Sequence, residues 1–525
     1  MTNNTTEYSD AAQISKDNLN KISPTMCMAK WLQVSMYLPQ GLTHSCYHPP
    51  VHKIPLDELN DNPKALHNTL EKIEERKKMW NGERPSGCQY CWNIEDAPGG
   101  PHLSDRHYRS SEAWVGEDGW KEVVEHGWDN NINPRYVEVN FNQACNFKCV
   151  YCSPHLSTAW EKEIEEFGPM KINYTMYHND LDSLRSANLM PLHTSNKENP
   201  YVESFWEWWP DLYPTLKVFR MTGGEPLMDK NTFKVLDYVN QYPNATLDLS
   251  ITTNACPPDQ KLFDKFVEKL KALEVVRVWE DKEKFNPDSG NNWYVAPACK
   301  HFSLFVSLDS VDEQAEYIRT GLEYNRLVNN VKHFLTETHG TEVTFINTFN
   351  LLSIPKLKDF LQLILDLRVE FGYENQNDHV IQPPDNNGIV HSPFVRKKRQ
   401  RVWFDIPYLR HPDWMSAQLA AFDPELLDTL NECLQFMEDN VENENYGRTY
   451  HGFKKYEIAK LKRNIAWISN GKNDINNEEL VARQRHFWRY FMTIDKRRDL
   501  NFIETFPELT NWWINCYRAI QNEKK

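Results

Sequence analysis

Three cysteines in one short run are the residues of this chain whose spacing most directly indicates chemistry. Cys145, Cys149 and Cys152 follow the pattern Cys-x3-Cys-x2-Cys, and the aromatic residue Tyr151 precedes the third of them. Three thiolates can hold three irons of a [4Fe–4S] cube, which leaves the fourth iron without a protein ligand. An open metal position can take a small molecule, as it does at a catalytic zinc. A structural zinc would need a fourth ligand at close spacing, and none follows. A zinc knuckle or three unrelated thiols are the alternatives.

A second motif, Gly223-Gly224-Glu225-Pro226, follows a strand predicted at 216–222. Glycines let a ligand approach the end of a strand closely, because they carry no side chain. Exposed carbonyl groups there could accept the hydrogen bonds of an ammonium group, and the Glu225 carboxylate could add a charge-assisted one. On its own, this motif would fit an ordinary turn.

A third set of polar residues lies at the end of a strand predicted at 302–309. Ser307 and Asp309 end this strand, and Arg319 follows after a helical segment. A hydroxyl and a carboxylate suit the hydroxyls of a ribose, and an arginine can bind a carboxylate through two N–H groups. A helix N-cap formed by Asp309 or Ser310 is the structural alternative.

A second group of cysteines lies upstream of these motifs. Cys27 and Cys46 flank a predicted hairpin, and Cys88 and Cys91 form a Cys-x2-Cys loop. Four cysteines can enclose a complete iron–sulfur cluster. A zinc ribbon fits the same residues.

The elements that must position these residues form a repeating strand–loop–helix pattern from about residue 135. Alternation of this kind builds a parallel sheet. Six units predict an open barrel rather than a closed eight-stranded one, and the motifs fall at the carboxyl ends of its strands, where such folds bind ligands. Strands are predicted at 135–141, 216–222, 246–253, 302–309, 342–348 and 379–382.

Together, the three motifs resemble the radical S-adenosylmethionine (SAM) superfamily. The resemblance implies a partial (β/α)6 barrel, similar to a TIM barrel, in which the three-cysteine cluster binds SAM through its open iron. It also implies that the Gly-Gly-Glu motif holds the methionyl amino group, and that the Ser-x-Asp…Arg pattern contacts the ribose and the carboxylate. The segment ITTNA at 251–255 is similar to the family's Thr-Asn-Gly strand end, with Ala255 in place of the glycine. The SAM contacts implied are Tyr151, Gly223, Gly224, Glu225, Asn254, Ser307, Asp309 and Arg319.

The upstream cysteines are similar to the SPASM and twitch modules that carry auxiliary clusters in this superfamily. The module precedes the barrel here, whereas it follows the barrel in the commonest maturases. This resemblance implies a second [4Fe–4S] cluster at Cys27, Cys46, Cys88 and Cys91. The domain organisation predicted is a mobile tail at 1–24, a cysteine module with its linker at 25–133, a barrel at 134–395 and a mainly helical region at 396–525.

Composition limits the classes of partner. The 525 residues include 25% charged and 40% hydrophobic residues, with a formal net charge of −15. Such an acidic chain is not expected to bind nucleic acid. No apolar run is long enough to span a bilayer, and the polar N-terminus lacks the apolar core of a signal peptide. We therefore expect a cytoplasmic protein whose eleven cysteines are reduced and available as metal ligands.

The function expected from the resemblance is reductive cleavage of SAM to a 5′-deoxyadenosyl radical, which takes a hydrogen atom from a substrate. Peptide and protein maturases of the superfamily imply a peptide or protein substrate, and flavodoxin or ferredoxin would supply the electron. A radical SAM enzyme for a small metabolite or nucleotide is one alternative. A non-catalytic zinc or iron–sulfur interaction protein is the other.

Overall fold

The computed structural model describes most of the chain. The described residues are 2–60, 62–100, 102–170, 172, 180–192, 199–274, 277–280, 293–296, 298–371, 374–378, 395–442 and 451–523. Their strands are Gln33–Tyr37 (β1), Leu42–His44 (β2), His52–Lys53 (β3), Tyr136–Asn140 (β4), Lys148–Cys149 (β5), Val218–Thr222 (β6), Asn244–Thr253 (β7), Arg277–Glu280 (β8), Trp293–Ala296 (β9), Cys299–Ser307 (β10), Arg319–Thr320 (β11), Thr341–Ile346 (β12), Glu374–Asp378 (β13), Val395–Arg399 (β14) and Val402–Asp405 (β15).

The α-helices of these residues are distributed along the whole chain. They are Thr2–Ile22 (α1), Met28–Leu32 (α2), Leu56–Leu59 (α3), Leu70–Trp80 (α4), Gln89–Glu95 (α5), Asp105–Ser110 (α6), Gly116–His126 (α7), Thr158–Phe167 (α8), Leu181–Ser186 (α9), Pro200–Leu212 (α10), Lys230–Gln241 (α11), Gln260–Glu274 (α12), Asp312–Ile318 (α13), Tyr324–Glu337 (α14), Leu357–Phe371 (α15), Pro424–Asp439 (α16), Lys455–Ser469 (α17), Gly471–Asp474 (α18), Asn477–Arg498 (α19), Phe502–Thr505 (α20) and Thr510–Glu523 (α21). Within these ranges, no helix is both long and apolar enough to cross a membrane.

The first of two compact units contains residues 1–143, 189–226 and 244–250. Its strands follow the order β3, β2, β1, β4, β6 and the start of β7. Strands β1, β4 and β6 are parallel, whereas β2 and β3 return antiparallel. The predicted strands at 135–141 and 216–222 are confirmed by β4 and β6.

The second unit contains residues 144–188, 227–243 and 251–525. Its strands follow the order of the end of β7, then β10, β12 and β15, and the last three are parallel. Amphipathic helices separate them along the chain, as α14 shows by burying Leu327, Val331 and Phe334 on one side. The strands predicted at 302–309 and 342–348 are confirmed by β10 and β12. The predicted strand at 379–382 lies outside the described residues, and the strand that pairs next to β12 is β15.

The N-terminal segment differs from its prediction. Residues 1–24 lack a strong apolar pattern and were expected to form a mobile tail, but Thr2–Ile22 is helical in the structure. Ala12 and Leu19 are fully buried, and α1 packs against α6. Two well-spaced apolar residues are therefore enough to attach this polar helix to the unit, although they give only a weak sequence signal.

Candidate functional site

The three-cysteine loop is held in shape by side chains of the segment that follows it. Ser157 Oγ donates a hydrogen bond to the carbonyl of Phe147 at 2.7 Å. Thr158 Oγ1 accepts from the amide of Cys145 at 3.2 Å, and the Trp160 indole N–H donates to the carbonyl of Cys149 at 2.8 Å. The start of α8 therefore fixes the backbone on both sides of the first two cysteines.

Two of the three cysteine sulfur atoms in this loop have N–H groups beside them. The amide of Phe147 lies 3.4 Å from Cys145 Sγ, and Nη1 of Arg319 lies 3.6 Å from Cys149 Sγ. Burial raises the pKa of the Cys149 thiol, and it raises the pKa of Cys152 to about 12. Metal ligation, which requires thiolates, would therefore have to release protons from these groups. The donor set of three cysteines with adjacent N–H groups fits a three-cysteine cluster site.

Among the described residues, no three His, Cys, Asp or Glu side chains are arranged to hold a single metal ion. A tetrahedral zinc with Zn–S bonds of about 2.3 Å would require sulfurs about 3.8 Å apart. A four-iron cube binds each cysteine at a different iron, so its ligand sulfurs lie farther apart.

Arg319 reaches Cys149 because two short strands pair. Strands β5 and β11 are antiparallel, with Arg319 directly opposite Cys149. The guanidinium of Arg319 also lies 2.8 Å from Asp309 Oδ2 and donates to the Tyr151 hydroxyl at 2.5 Å. Burial opposes the charged form of Arg319, but the charge and hydrogen bond of Asp309, together with Tyr151 and Cys149, outweigh it and raise the pKa of the guanidinium.

Both carboxylate oxygens of Asp309 have protein partners. Oδ2 also accepts a hydrogen bond from the Tyr151 hydroxyl at 2.7 Å, and Oδ1 accepts one from the Thr348 amide at 2.8 Å. The side chain is fully buried. These contacts show Asp309 orienting Arg319 and Tyr151, and its predicted contact with a ribose stays a prediction. Ser307, at the end of β10, is only half-buried and pairs with Ile346.

Asn254 contacts the cysteine loop through another asparagine. Its Nδ2 donates to Asn146 Oδ1 at 2.9 Å, and Nδ2 of Asn146 donates to the carbonyl of Cys256 at 2.9 Å. Between them, Ala255 has a φ of +52°, in the left-handed region that favours glycine. A glycine at this strand end, as in the family's Thr-Asn-Gly pattern, would adopt this φ without strain. The alanine of this chain adopts it with backbone strain.

Gly223 occupies a position that no larger residue would fit. Its φ is +137°, and an added Cβ would lie 2.5 Å from Asn140 Oδ1 and 3.0 Å from the carbonyl oxygen of Asn142. The amide of Gly224 donates to that same carbonyl at 3.3 Å. Glu225 is buried, with 1% of its surface exposed. The motif therefore packs tightly against the end of β4, and its predicted contact with a SAM amino group stays a prediction.

The C-terminal helix α19 supplies contacts that sequence reasoning missed. Nη1 of Arg498 donates to the carbonyl of Lys148 at 2.8 Å, and the Tyr490 hydroxyl donates to the carbonyl of Val150 at 2.5 Å. These two carbonyls flank Cys149. A basic residue in the last turn of a helix is common because it complements the helix dipole, so Arg498 does not stand out in the sequence.

The four upstream cysteines converge in the first unit. Cys27, Cys46, Cys88 and Cys91 all line one small cavity. Burial raises the pKa of Cys46 and of Cys91 to about 12, and the negative charge of a neighbouring Cys27 thiolate adds to both shifts. Burial raises the pKa of Cys27, and the nearby backbone amides of Lys30 and Ala29 oppose this rise.

Two buried cations line the same cavity. Lys30 is 2% exposed and pairs with Glu75 at 2.6 Å, and Arg106 pairs with Glu95 at 2.6 Å. Four thiolates around iron or zinc leave a net negative charge, which buried cations would stabilise. His48 also lines the cavity, but its Nε2 lies 2.6 Å from Asp105. The four cysteines therefore supply the donor set of a cluster in which each thiolate binds a different iron, and His48 is already paired with Asp105.

Comparisons with known proteins give partial matches. No protein-family model matches the chain. A GTP 3′,8-cyclase of Campylobacter lari is 26% identical over 142 residues, which is 27% of this chain and 33% of the relative. The GTP 3′,8-cyclase of Trichodesmium erythraeum is 25% identical over 156 residues, 30% of this chain and 38% of the relative. The chain thus spans about a third of the length of the curated relatives it matches.

Two solved structures of SuiB from Streptococcus suis align with this chain at 12% identity and a TM-score of 0.27. One is bound to S-adenosylmethionine and the other to the precursor peptide SuiA. The alignment with the SAM-bound structure covers 64% of this chain and 59% of SuiB. The GTP 3′,8-cyclase relatives support the resemblance of this chain to the radical SAM superfamily. The residues that carry the resemblance are the three-cysteine loop, the Gly-Gly-Glu turn and Arg319 beside Cys149.

Proposed function

We propose that this chain is an enzyme that cleaves SAM reductively at a [4Fe–4S] cluster held by Cys145, Cys149 and Cys152. The observation that carries this proposal is the pairing of β5 with β11, which sets a buried, charged Arg319 beside Cys149. When bound, the reduced cluster supplies the one electron that cleaves SAM into methionine and a 5′-deoxyadenosyl radical, which takes hydrogen from the substrate.

The chain's own residues would bind and orient SAM. Arg319 is placed to attract the methionyl carboxylate, and its guanidinium is fixed by Asp309 and Tyr151. Gly223 allows the close approach of a ligand, while Glu225, Ser307 and Asn254 provide polar groups for the amino group and the nucleoside. In this proposal the parallel strands form the open barrel that excludes water from the radical.

We propose a second [4Fe–4S] cluster at Cys27, Cys46, Cys88 and Cys91. The shared cavity and the two buried cations support a closed, anionic metal site. A closed cluster could accept the electron returned after catalysis or bind the substrate. Zinc bound by four cysteines would carry a similar charge, so metal analysis must distinguish the two.

The substrate proposed is a peptide or protein, as the Ser-x-Asp…Arg pattern implies. A nucleotide is the second candidate, because the curated relatives are GTP 3′,8-cyclases. Flavodoxin or ferredoxin is proposed as the electron donor. Incubation of the reconstituted protein with a lysate of its host, followed by mass analysis for loss of hydrogen or a new crosslink, would identify the substrate class.

The test of the cluster assignment is anaerobic reconstitution with iron and sulfide. We expect the electron paramagnetic resonance spectrum of the reduced protein to change when SAM is added, because SAM binds the open iron. A protein that takes up zinc instead, or whose reduced spectrum is unchanged by SAM, would support the non-catalytic alternative.

A further inference from the structure

One face of the sheet in the first unit carries charged and phenolic side chains. Glu138 on β4 lies directly opposite Arg220 on β6, and both are partly exposed. The residues before and after each of them on its strand are fully buried and apolar. Parallel strands usually bury apolar side chains on both faces, so a half-open polar face indicates contact with something other than the protein core.

Two tyrosines connect this charged pair to the cysteine module. The hydroxyls of Tyr47 and Tyr136 lie 2.6 Å apart, and the Tyr47 hydroxyl donates to Glu138 Oε2 at 3.1 Å. Nη1 of Arg220 donates to the Tyr136 hydroxyl at 3.1 Å. Tyr47 is exposed and directly follows Cys46. The phenol group of Tyr47, in the cysteine module, therefore lies on the face formed by β4 and β6.

Arg220 and Glu138 face each other as a charged pair. Nε of Arg220 lies 3.7 Å from Glu138 Oε2, beyond hydrogen-bond distance, and 27% of the arginine side chain is exposed. A second cation, Arg109, lies 5.2 Å from the centre of the Tyr47 ring. Two arginines and two phenol hydroxyls are therefore close together on this face, with Glu138 beside Arg220 and Glu112 beside Arg109.

The charged pair lies close to the carboxyl ends of β4 and β6, next to the Gly-Gly-Glu turn. β6 ends at Thr222, immediately before the Gly-Gly-Glu turn, and Arg220 precedes that end by two residues, about 7 Å. β4 ends at Asn140, against which Gly223 packs. Ligands of parallel α/β folds bind near the carboxyl ends of strands.

We infer that Arg220, with the hydroxyls of Tyr47 and Tyr136, binds an anionic group of the substrate, a phosphate or a carboxylate. The planar guanidinium matches either group through two parallel hydrogen bonds. Glu138 holds the guanidinium in place when the site is empty and disfavours the anion by charge repulsion. Only the identification of this ligand as the substrate rests on the proposed function.

Substitutions on the two sides of the charged pair give opposite expected effects. Arg220→Gln should weaken binding of the anionic probe at least about tenfold, since it removes charge-assisted hydrogen bonds. Glu138→Gln should tighten binding by roughly threefold or more, since it removes a nearby negative charge. Tyr47→Phe should weaken binding by a smaller factor. If the charged pair were purely structural, either substitution would lower the stability of the protein. The two substitutions would then not change the affinity for the probe in opposite directions.

The experiment is calorimetric titration of the metal-loaded protein, without SAM, with two probes: GTP and a synthetic peptide rich in glutamate. We expect at least one probe to bind, and its identity separates a phosphate from a carboxylate as the recognised group. Arg185→Gln is the control, because Arg185 is an exposed arginine paired with Asp182 within α9. Its affinity for the probe should equal that of the unaltered protein.

Two results would overturn the inference: neither probe binds the unaltered protein, or Arg220→Gln binds the probe as well as the control does. The proposed function fails separately. A protein that binds a probe through Arg220 but forms no 5′-deoxyadenosine from SAM would retain the anion site and refute the radical chemistry.

Discussion

At the residue scale, Asp309 and Arg319 show how a functional side chain is held. Arg319 is buried and charged, and it stays in place because Asp309 neutralises it at Nε while Nη1 lies beside Cys149. The sequence suggested that both residues contact SAM. The structure adds that Asp309 contacts Arg319, Tyr151 and the Thr348 amide, so it is a positioning residue whatever else it binds.

Asp309→Asn should therefore lower the free energy of unfolding by about 3 kcal/mol, because it breaks a buried ion pair and leaves Arg319 unneutralised. Chemical denaturation measures this change. Asp182→Asn, at an exposed carboxylate paired with Arg185, should change it by less than about 0.5 kcal/mol. A variant as stable as the unaltered protein but weaker in SAM binding would assign Asp309 to the ribose alone.

Ala255→Gly should raise the free energy of unfolding by about 1 kcal/mol. Ala255 has a φ of +52°, where a Cβ is strained by roughly 1–2 kcal/mol and glycine is not. Thermal unfolding would show a higher midpoint. Ala482→Gly, in the middle of α19, is the matched control and should lower stability by about 1 kcal/mol. Equal destabilisation by both changes would contradict the backbone argument.

At the element scale, α19 gives the C-terminal region a defined role beside the cysteine loop. Arg498 is almost fully buried and also pairs with the buried carboxylate of Glu163 at 3.0 Å. Tyr490 and Arg498 reach the backbone carbonyls on each side of Cys149. The sequence predicted a mainly helical region here, but it could not predict which helix contacts the loop.

Arg498→Gln should destabilise the protein by about 3 kcal/mol and speed the loss of iron from the reconstituted loop to a chelator. Tyr490→Phe, which removes one hydrogen bond, should have a smaller effect of about 1 kcal/mol. Arg489→Gln, on the same helix but paired with Glu523, is the control. Iron release that is equal in all three variants would show that α19 does not support the loop.

Local patterns explain which elements could be predicted. Apolar periodicity and turn residues located β4, β6, β10 and β12 to within a few residues, because each is a buried strand in a repeating unit. The same reasoning missed α1, whose attachment depends on two apolar residues, and the pairing of β5 with β11, which joins residues 170 positions apart. Contacts at such separations depend on tertiary packing that no local pattern encodes.

At the scale of the whole molecule, each compact unit carries one set of cysteines. Cys27, Cys46, Cys88 and Cys91 belong to the first unit, and the Cys-x3-Cys-x2-Cys loop belongs to the second. The two proposed metal sites are therefore built from separate parts of the chain. Loss of one set should leave the other able to bind its cluster.

The reconstituted protein should contain about eight irons, and the double variant Cys88→Ser, Cys91→Ser about four. Iron and zinc analysis after anaerobic reconstitution measures both. The double variant should still cleave SAM without substrate, because its three-cysteine loop is intact. Four irons in the unaltered protein, with one zinc, would instead assign zinc to the upstream cysteines.

The central claim is that Cys145, Cys149 and Cys152 hold a cluster that cleaves SAM. The most direct measurement is the yield of 5′-deoxyadenosine when the reconstituted protein is given SAM and a strong reductant without oxygen. We predict 5′-deoxyadenosine from the unaltered protein and none above background from Cys149→Ala, with Cys433→Ala, at a buried cysteine in α16, as the control that retains the activity. Equal yields from the unaltered protein and Cys149→Ala, or no product from either, would contradict the claim.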